Sequence, residues 1–145
     1  MRRDLINQRI SLMFFFFYDT TFANLAPVEA GLAQVRAKYP QMTVGAFESL
    51  IHIARSQNRI VDEKLSVKDL ANEMSIPYPT LARHTDILGN GVAGKEGLHF
   101  LEKVSGDVDQ KQRRVVLTPA GAEFLYQFEI AMNSVRNVDN QGTGQ

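Results

Sequence analysis

The stretch from Ser66 to Leu88 reads SVKDLANEMSIPYPTLARHTDIL, and its reading decides the fold. Ser66 is a good helix N-cap, and Asp69 three residues on can complete a shortened capping box. Val67, Leu70, Ala71 and Met74 follow at helical spacing, giving one apolar face. Ser75-Ile76-Pro77 breaks that helix. Pro79-Thr80 can open a second one, because the fixed φ and missing N–H of proline suit a first turn. Leu81 and Leu88 lie a heptad apart and are expected to face inward, which puts Arg83 on the opposite face with Pro79, flanked by Thr80 and Ala82. Two short helices around a tight turn have the layout of a helix-turn-helix, in which the second helix carries its contact residues at its N-terminal end.

The whole chain sets the limits of this reading. Its 145 residues suit one domain with a substantial core and room for an oligomerisation element. A composition of 44% hydrophobic and 22% charged residues fits a soluble globular protein. There is no cysteine, which removes disulfides, thiolate metal sites and cysteine redox sensing and fits a reducing, cytoplasmic setting. The net charge is zero, which argues against a wholly basic nucleic-acid coat.

Outward from the central stretch, Met1 to Tyr18 starts with Arg2 and Arg3 and becomes very apolar, with Leu12 to Tyr18 (LMFFFFY) an unbroken run of seven. No small-residue cleavage site follows it, and it is too short for the roughly 20 apolar residues that span a bilayer. Ile6, Ile10, Met13, Phe14 and Phe17 form one helical stripe, widened by Leu5, Leu12 and Phe16. A helix apolar on most sides must be covered on most sides. The segment is read as a subunit interface, with a core helix of the same chain or a membrane-surface helix as alternatives. Pro27 opens the next helix, continued by Val28, Leu32 and Val35 and ended by Tyr39-Pro40. Thr43 caps another, with Phe47, Leu50, Ile51 and Ala54 as its apolar side. Gln57 to Lys64 reads as a polar loop, and Leu65 as a short strand.

After Leu88, Gly89 to Gly97 holds four glycines in nine residues and reads as a flexible connection. Leu98 to Val104 and Arg113 to Leu117 have strand character around a polar tip, Ser105 to Gln112, so a β-hairpin is expected. Thr118-Pro119 caps a last helix lined by Phe124, Leu125, Phe128, Ala131, Met132 and Val135. Asp139 to Gln145 is polar and expected to fray.

Three helices, a helix-turn-helix, a hairpin and a final helix make the order of a winged helix: mainly α, with a small β-hairpin wing. Here the residues resemble the MarR family of bacterial regulators, from Met42 to Gly121. Met42-Thr43 with Phe47, Leu50 and Ile53-Ala54 resembles its "LT…F…L…IA" helix, and Leu65-Ser66 with Leu70-Ala71 its "LS…LA" helix. Thr80-Leu81, Arg83, Asp86 and Leu88 match the recognition pattern "TV.R..D.L". Gly97-Leu98 matches the "GL" before the first wing strand. Asp109, Lys111, Leu117-Thr118 and Gly121 resemble the wing signature "D.R……LT..G". The resemblance implies a homodimeric, sequence-specific regulator of double-stranded DNA. In it, the helices of 1–41 and 119–145 make the dimer and 42–118 form the DNA-binding lobe. It also implies an effector pocket, for which Phe22, Phe47 and Tyr126 are lining candidates or plain core. Lys111 departs from the family's usual wing arginine, since lysine neutralises a phosphate without a bidentate fork. Thr85 and His84 replace aliphatic residues, Leu101 stands where arginine is common, and the glycine-rich segment is longer than usual.

From Ile76 to Thr118 there are six basic and five acidic side chains, so the block is only faintly basic. Weak, salt-sensitive non-specific binding is the expectation. Tyr78, Pro79, Thr80, Arg83 and His84 are the candidate groove contacts, and Lys111, Arg113 and Arg114 the candidate wing contacts. The alternatives are turn packing for Tyr78 and Thr80, a surface ion pair with Asp86 for Arg83, and solvated strand ends for the wing cations. The three histidines, His52, His84 and His99, sit on different elements with no metal-ligand spacing. GNGVAGKE is not a phosphate loop. No enzyme activity, cofactor, metal or membrane partner is expected. Two other functions fit the same pattern, a winged helix used only for protein contacts and a replication or plasmid-maintenance protein.

Overall fold

The computed structural model describes residues 22–104 and 112–142, and within them the chain is mainly helical with two small antiparallel hairpins. The apolar helix expected over the first 18 residues, the hairpin tip with Asp109 and Lys111, and the end beyond 142 lie outside the described residues. The chain divides into two compact units, 1–38 with 128–145, and 39–127.

In the first unit a 3-10 turn over Ala23–Leu25 leads into α1 (Ala26–Lys38), with Pro27 near its start. Glu29 in its first turn and Arg36 and Lys38 in its last complement the helix dipole. Val35 is buried, whereas Phe22, Leu25, Val28 and Leu32 remain exposed. The ring of Phe128 lies directly against Gly31.

The second unit begins with Tyr39 and holds the elements of the central stretch. Helix α2 (Val44–Arg55) is capped by Thr43, whose hydroxyl oxygen accepts the Ala46 N–H at 3.1 Å. Phe47, Leu50 and Ile53 are its buried side. The next segment corrects the sequence reading: 57–62 forms a short helix, α3 (Gln57–Asp62), in place of a loop. Six residues with one buried apolar anchor, Ile60, display no helical period. Gln57 also links two elements, donating to the Ile53 carbonyl at 2.9 Å and accepting the Leu117 N–H at 2.8 Å.

Helix α4 (Val67–Met74) starts with a complete capping box: the Ser66 hydroxyl accepts the Asp69 N–H at 3.2 Å and the Asp69 carboxylate accepts the Ser66 N–H at 2.8 Å. It stops at Ser75, which takes the left-handed conformation with φ 57°. Helix α5 (Tyr78–Leu88) follows, with Pro77 at its N-cap position. Leu65 is not in a strand, although the neighbouring Val67 N–H donates to the Arg113 carbonyl at 2.8 Å. Glu73 of α4 accepts from His52 at 3.0 Å and from Arg59, joining α2, α3 and α4 by an exposed network that contributes little to stability.

The glycine-rich connection is ordered, which is the second correction. Strands β1 (Gly91–Val92) and β2 (Lys95–Glu96) pair antiparallel across a two-residue turn, Ala93-Gly94. The chain then closes the end of α5. The N–H groups of Leu98, His99 and Phe100 donate to the carbonyls of Ile87, Gly89 and Leu88 at 3.0, 3.0 and 2.7 Å. Those carbonyls have no partner inside the helix, so the segment acts as its C-cap. The same bonds explain why β3 (Leu101–Lys103) starts later than its sequence pattern suggests. Its partner β4 (Val115–Leu117) pairs in register Leu101↔Leu117 and Lys103↔Val115. Helix α6 (Pro119–Gly142) begins where expected, with the Thr118 hydroxyl accepting the Gly121 N–H at 3.1 Å, and it continues through residues expected to fray. Phe100 and Phe124 stack with ring centroids 4.8 Å apart, and Tyr39 stands edge-on to both at 5.3 and 5.1 Å.

A Cβ placed on Gly97 would overlap the Gly89 carbonyl oxygen and the Gly91 nitrogen. Gly97→Ala is therefore expected to destabilise the protein by about 2 kcal/mol in urea unfolding, whereas a loose connection would tolerate it at almost no cost.

Candidate nucleic-acid interface

Burial fixes the rotation of α5. Leu81, Thr85 and Leu88 are buried where the helix packs on α2 and α4. Burying each leucine contributes about 2 kcal/mol, which outweighs the preferences of the polar residues between them. The exposed side then carries Pro79, Thr80 and Arg83, with Ile87 38% exposed further along and Tyr78 half-buried. Pro79 and Thr80 lie four and three residues before Arg83, so all three share one face at the start of the helix. No side chain caps this end of α5.

His84, a candidate groove contact by sequence, turns toward α2 instead. Its Nδ1 lies 3.0 Å from the Ser49 hydroxyl, and that hydroxyl donates to the Gly45 carbonyl at 2.8 Å. Since Ser49 has one proton to give, the neutral ring donates from Nδ1. The position opposite is a glycine, and a Cβ on Gly45 would sit 2.9 Å from the imidazole, so a larger residue there would require the ring to shift. The small pair Gly45 and Ser49, one turn apart on α2, is the sequence signal for this contact. Burial, with a smaller push from the Arg83 charge, holds the His84 pKa below its ordinary 6.5, against an opposing pull from Glu48.

The hairpin cations separate. Arg113 is the second site residue whose side chain turns inward. Its Nη2 donates to Asp86 Oδ1 at 2.6 Å and to the Thr85 hydroxyl at 2.7 Å, which in turn donates to the Ala82 carbonyl. Its Nε is buried with no hydrogen-bond partner. Asp86 thus pairs with Arg113 of the hairpin and not with Arg83 of its own helix, and among the described residues Arg83 has no ion-pair partner. The side chain of Arg113 is 16% exposed and that of Asp86 34%, so this pair ties the hairpin to α5 and presents neither charge fully to solvent. Arg114 is half-buried, and its carbonyl accepts the Val104 N–H at 3.0 Å. Lys111 lies outside the described residues.

Of the residues suggested as effector contacts, Phe47 is buried with its ring 6.1 Å from that of Phe124, and Phe22 and Tyr126 are exposed. Among the described residues no cluster of three His, Asp or Glu side chains is placed to hold a metal ion, and no helix is long and apolar enough to cross a membrane. Comparisons with protein-family models, curated proteins and solved structures find no match to this chain.

Removing the carboxylate of Asp86 leaves the Arg113 guanidinium largely buried and unpaired. Asp86→Ala is expected to cost about 2 kcal/mol of unfolding free energy, discounted for the partial exposure of the carboxylate, and Arg113→Met in the same chain should recover part of it. A double-mutant cycle by urea unfolding measures the coupling. The histidine gives a pH dependence. With its folded-state pKa below 6.5, His84 binds its proton more readily in the unfolded chain, so stability falls as pH drops through 6.5 and levels off below the folded-state pKa. His84→Gln should flatten that step when unfolding is compared at about pH 7.5 and pH 5.5. Glu73, whose pKa is lowered by Arg59 and His52, gives a separate loss that begins below 4.5.

Proposed function

We propose that this protein is a sequence-specific, double-stranded DNA-binding transcriptional regulator of the winged helix-turn-helix type, similar to the MarR family, cytoplasmic and acting as a homodimer. One observation carries the reading: α5 offers Pro79, Thr80 and Arg83 together at its exposed, uncapped start, while His84, Thr85 and Asp86 make hydrogen bonds within the protein. A helix held this way by α2 and α4 has the form that enters a major groove by its N-terminal end. The hairpin β3–β4 would be the wing, and Lys111, which lies outside the described residues, would be a phosphate contact on the sequence reading alone. A two-fold dimer supplies the second recognition helix. The very apolar segment 1–18 and the exposed Leu25, Val28 and Leu32 support a second copy of the chain as the cover.

A second reading is favoured by charge. The protein has no net charge, and Arg83 is the single cation on the exposed side of α5. A winged helix that contacts another protein needs no more than this.

Gel-shift titrations against genomic fragments separate the two. The regulator is expected to bind a subset of fragments and lose affinity steeply as salt rises. Arg83→Ala should weaken the specific complexes by about 1–3 kcal/mol and relax sequence preference. Absence of any complex at low salt selects the protein-contact reading. In the same preparation analytical ultracentrifugation should show a dimer at micromolar concentration, and Phe14→Asp with Phe17→Asp should abolish both the dimer and specific binding.

A further inference from the structure

The hydrogen bonds made within the protein limit what α5 can read, and this inference rests on the DNA-binding reading above. Each base offers a different pattern in the major groove. Guanine presents two acceptors, N7 and O6, that fit an arginine fork. Adenine is matched by Asn or Gln, cytosine by Asp or Glu, and the thymine methyl by apolar contact.

Helix α5, YPTLARHTDIL, contains no Asn or Gln, so it has no adenine partner of that kind. Its one carboxylate, Asp86, accepts from Arg113 at 2.6 Å and is committed to the hairpin, which removes the cytosine partner. His84 is held by Ser49 at 3.0 Å, and Thr85 is buried and bonded on both sides, donating to Ala82 and accepting from Arg113. What remains at the exposed start of the helix, beside the half-buried Tyr78, is one arginine fork with the Pro79 ring and Thr80, whose methyl is an apolar surface and whose hydroxyl bonds bases without distinguishing them.

We infer that the protein reads a minimal code in each half-site, a single guanine taken by Arg83 through N7 and O6 with thymine methyls packed beside it by Pro79 and Thr80. Direct readout by α5 therefore discriminates guanine and thymine, and leaves adenine and cytosine to be specified through their partners on the opposite strand.

The test uses the full chain and a duplex selected from a random library. Each guanine in turn is replaced by 7-deazaguanine, which lacks the N7 acceptor, and each thymine by deoxyuridine, which lacks the methyl. One guanine per half-site is expected to show about a tenfold loss of affinity on replacement, with a smaller loss at neighbouring thymines. Arg83→Gln should move the preferred base at that position from guanine to adenine, because the glutamine amide fits adenine N6 and N7. Selected duplexes with no sensitive guanine overturn the inference and leave DNA binding standing. The same is true of an Arg83→Gln protein that still prefers guanine at that position. Failure to enrich any duplex over random DNA at low salt overturns the DNA-binding reading and the code with it.

Discussion

The seating of α5 on α2 and α4 through Leu81, Thr85 and Leu88 is the constraint on which the second unit depends. Once those three are buried, the azimuth of every other residue on the helix is set. Arg83 has to face out, His84 has to meet α2, and Asp86 falls at the side where the hairpin approaches. The surroundings are arranged to permit that seating. Gly45 makes space for the imidazole, Ser75 turns the chain after α4, and the N–H groups of residues 98–100 close the carbonyl end of α5. A helix of eleven residues, too short to be stable alone, is closed at its C-terminal end and held along one side.

What was legible in the sequence was what local chemistry encodes. The Ser66–Asp69 capping box, the Thr43 and Thr118 caps, the break at Ser75 and the inward leucines each follow from a few adjacent residues, and each is present. What was not legible depends on partners far away in the chain. The helix of residues 57–62 has one apolar anchor and a glutamine whose bond to Leu117 spans sixty positions. The glycine-rich run from Gly89 to Gly97 read as loose because glycine is permissive. Here Gly89, Gly91 and Gly97 are needed because backbone meets backbone, Gly94 turns the chain at φ 81°, and the residues after the hairpin are hydrogen-bonded to the end of α5.

The candidate site shows the same division. Pro79, Thr80 and Arg83 were placed outward by helical period alone, and they are exposed. His84 and Arg113 were not separable from them by residue type, since an imidazole and a guanidinium suit a groove or a phosphate equally well. What sets their orientation is their partners within the protein. Ser49 is thirty-five residues from His84, and Asp86 is twenty-seven from Arg113, so neither bond leaves a local pattern.

The low net charge takes on a different meaning once these partners are known. A basic protein gains affinity for any duplex from phosphate neutralisation, and that affinity carries no sequence information. In this chain the guanidinium of Arg113 is spent on fixing the hairpin to α5, and a carboxylate that would repel phosphate is neutralised by the same contact. The orientation of α5 is thus fixed in part by an internal pair that adds no net positive charge to the surface. On the proposed DNA-binding function, this charge balance implies weak binding to random duplex, and a single well-placed fork on Arg83 would then account for a large share of the preference between sites.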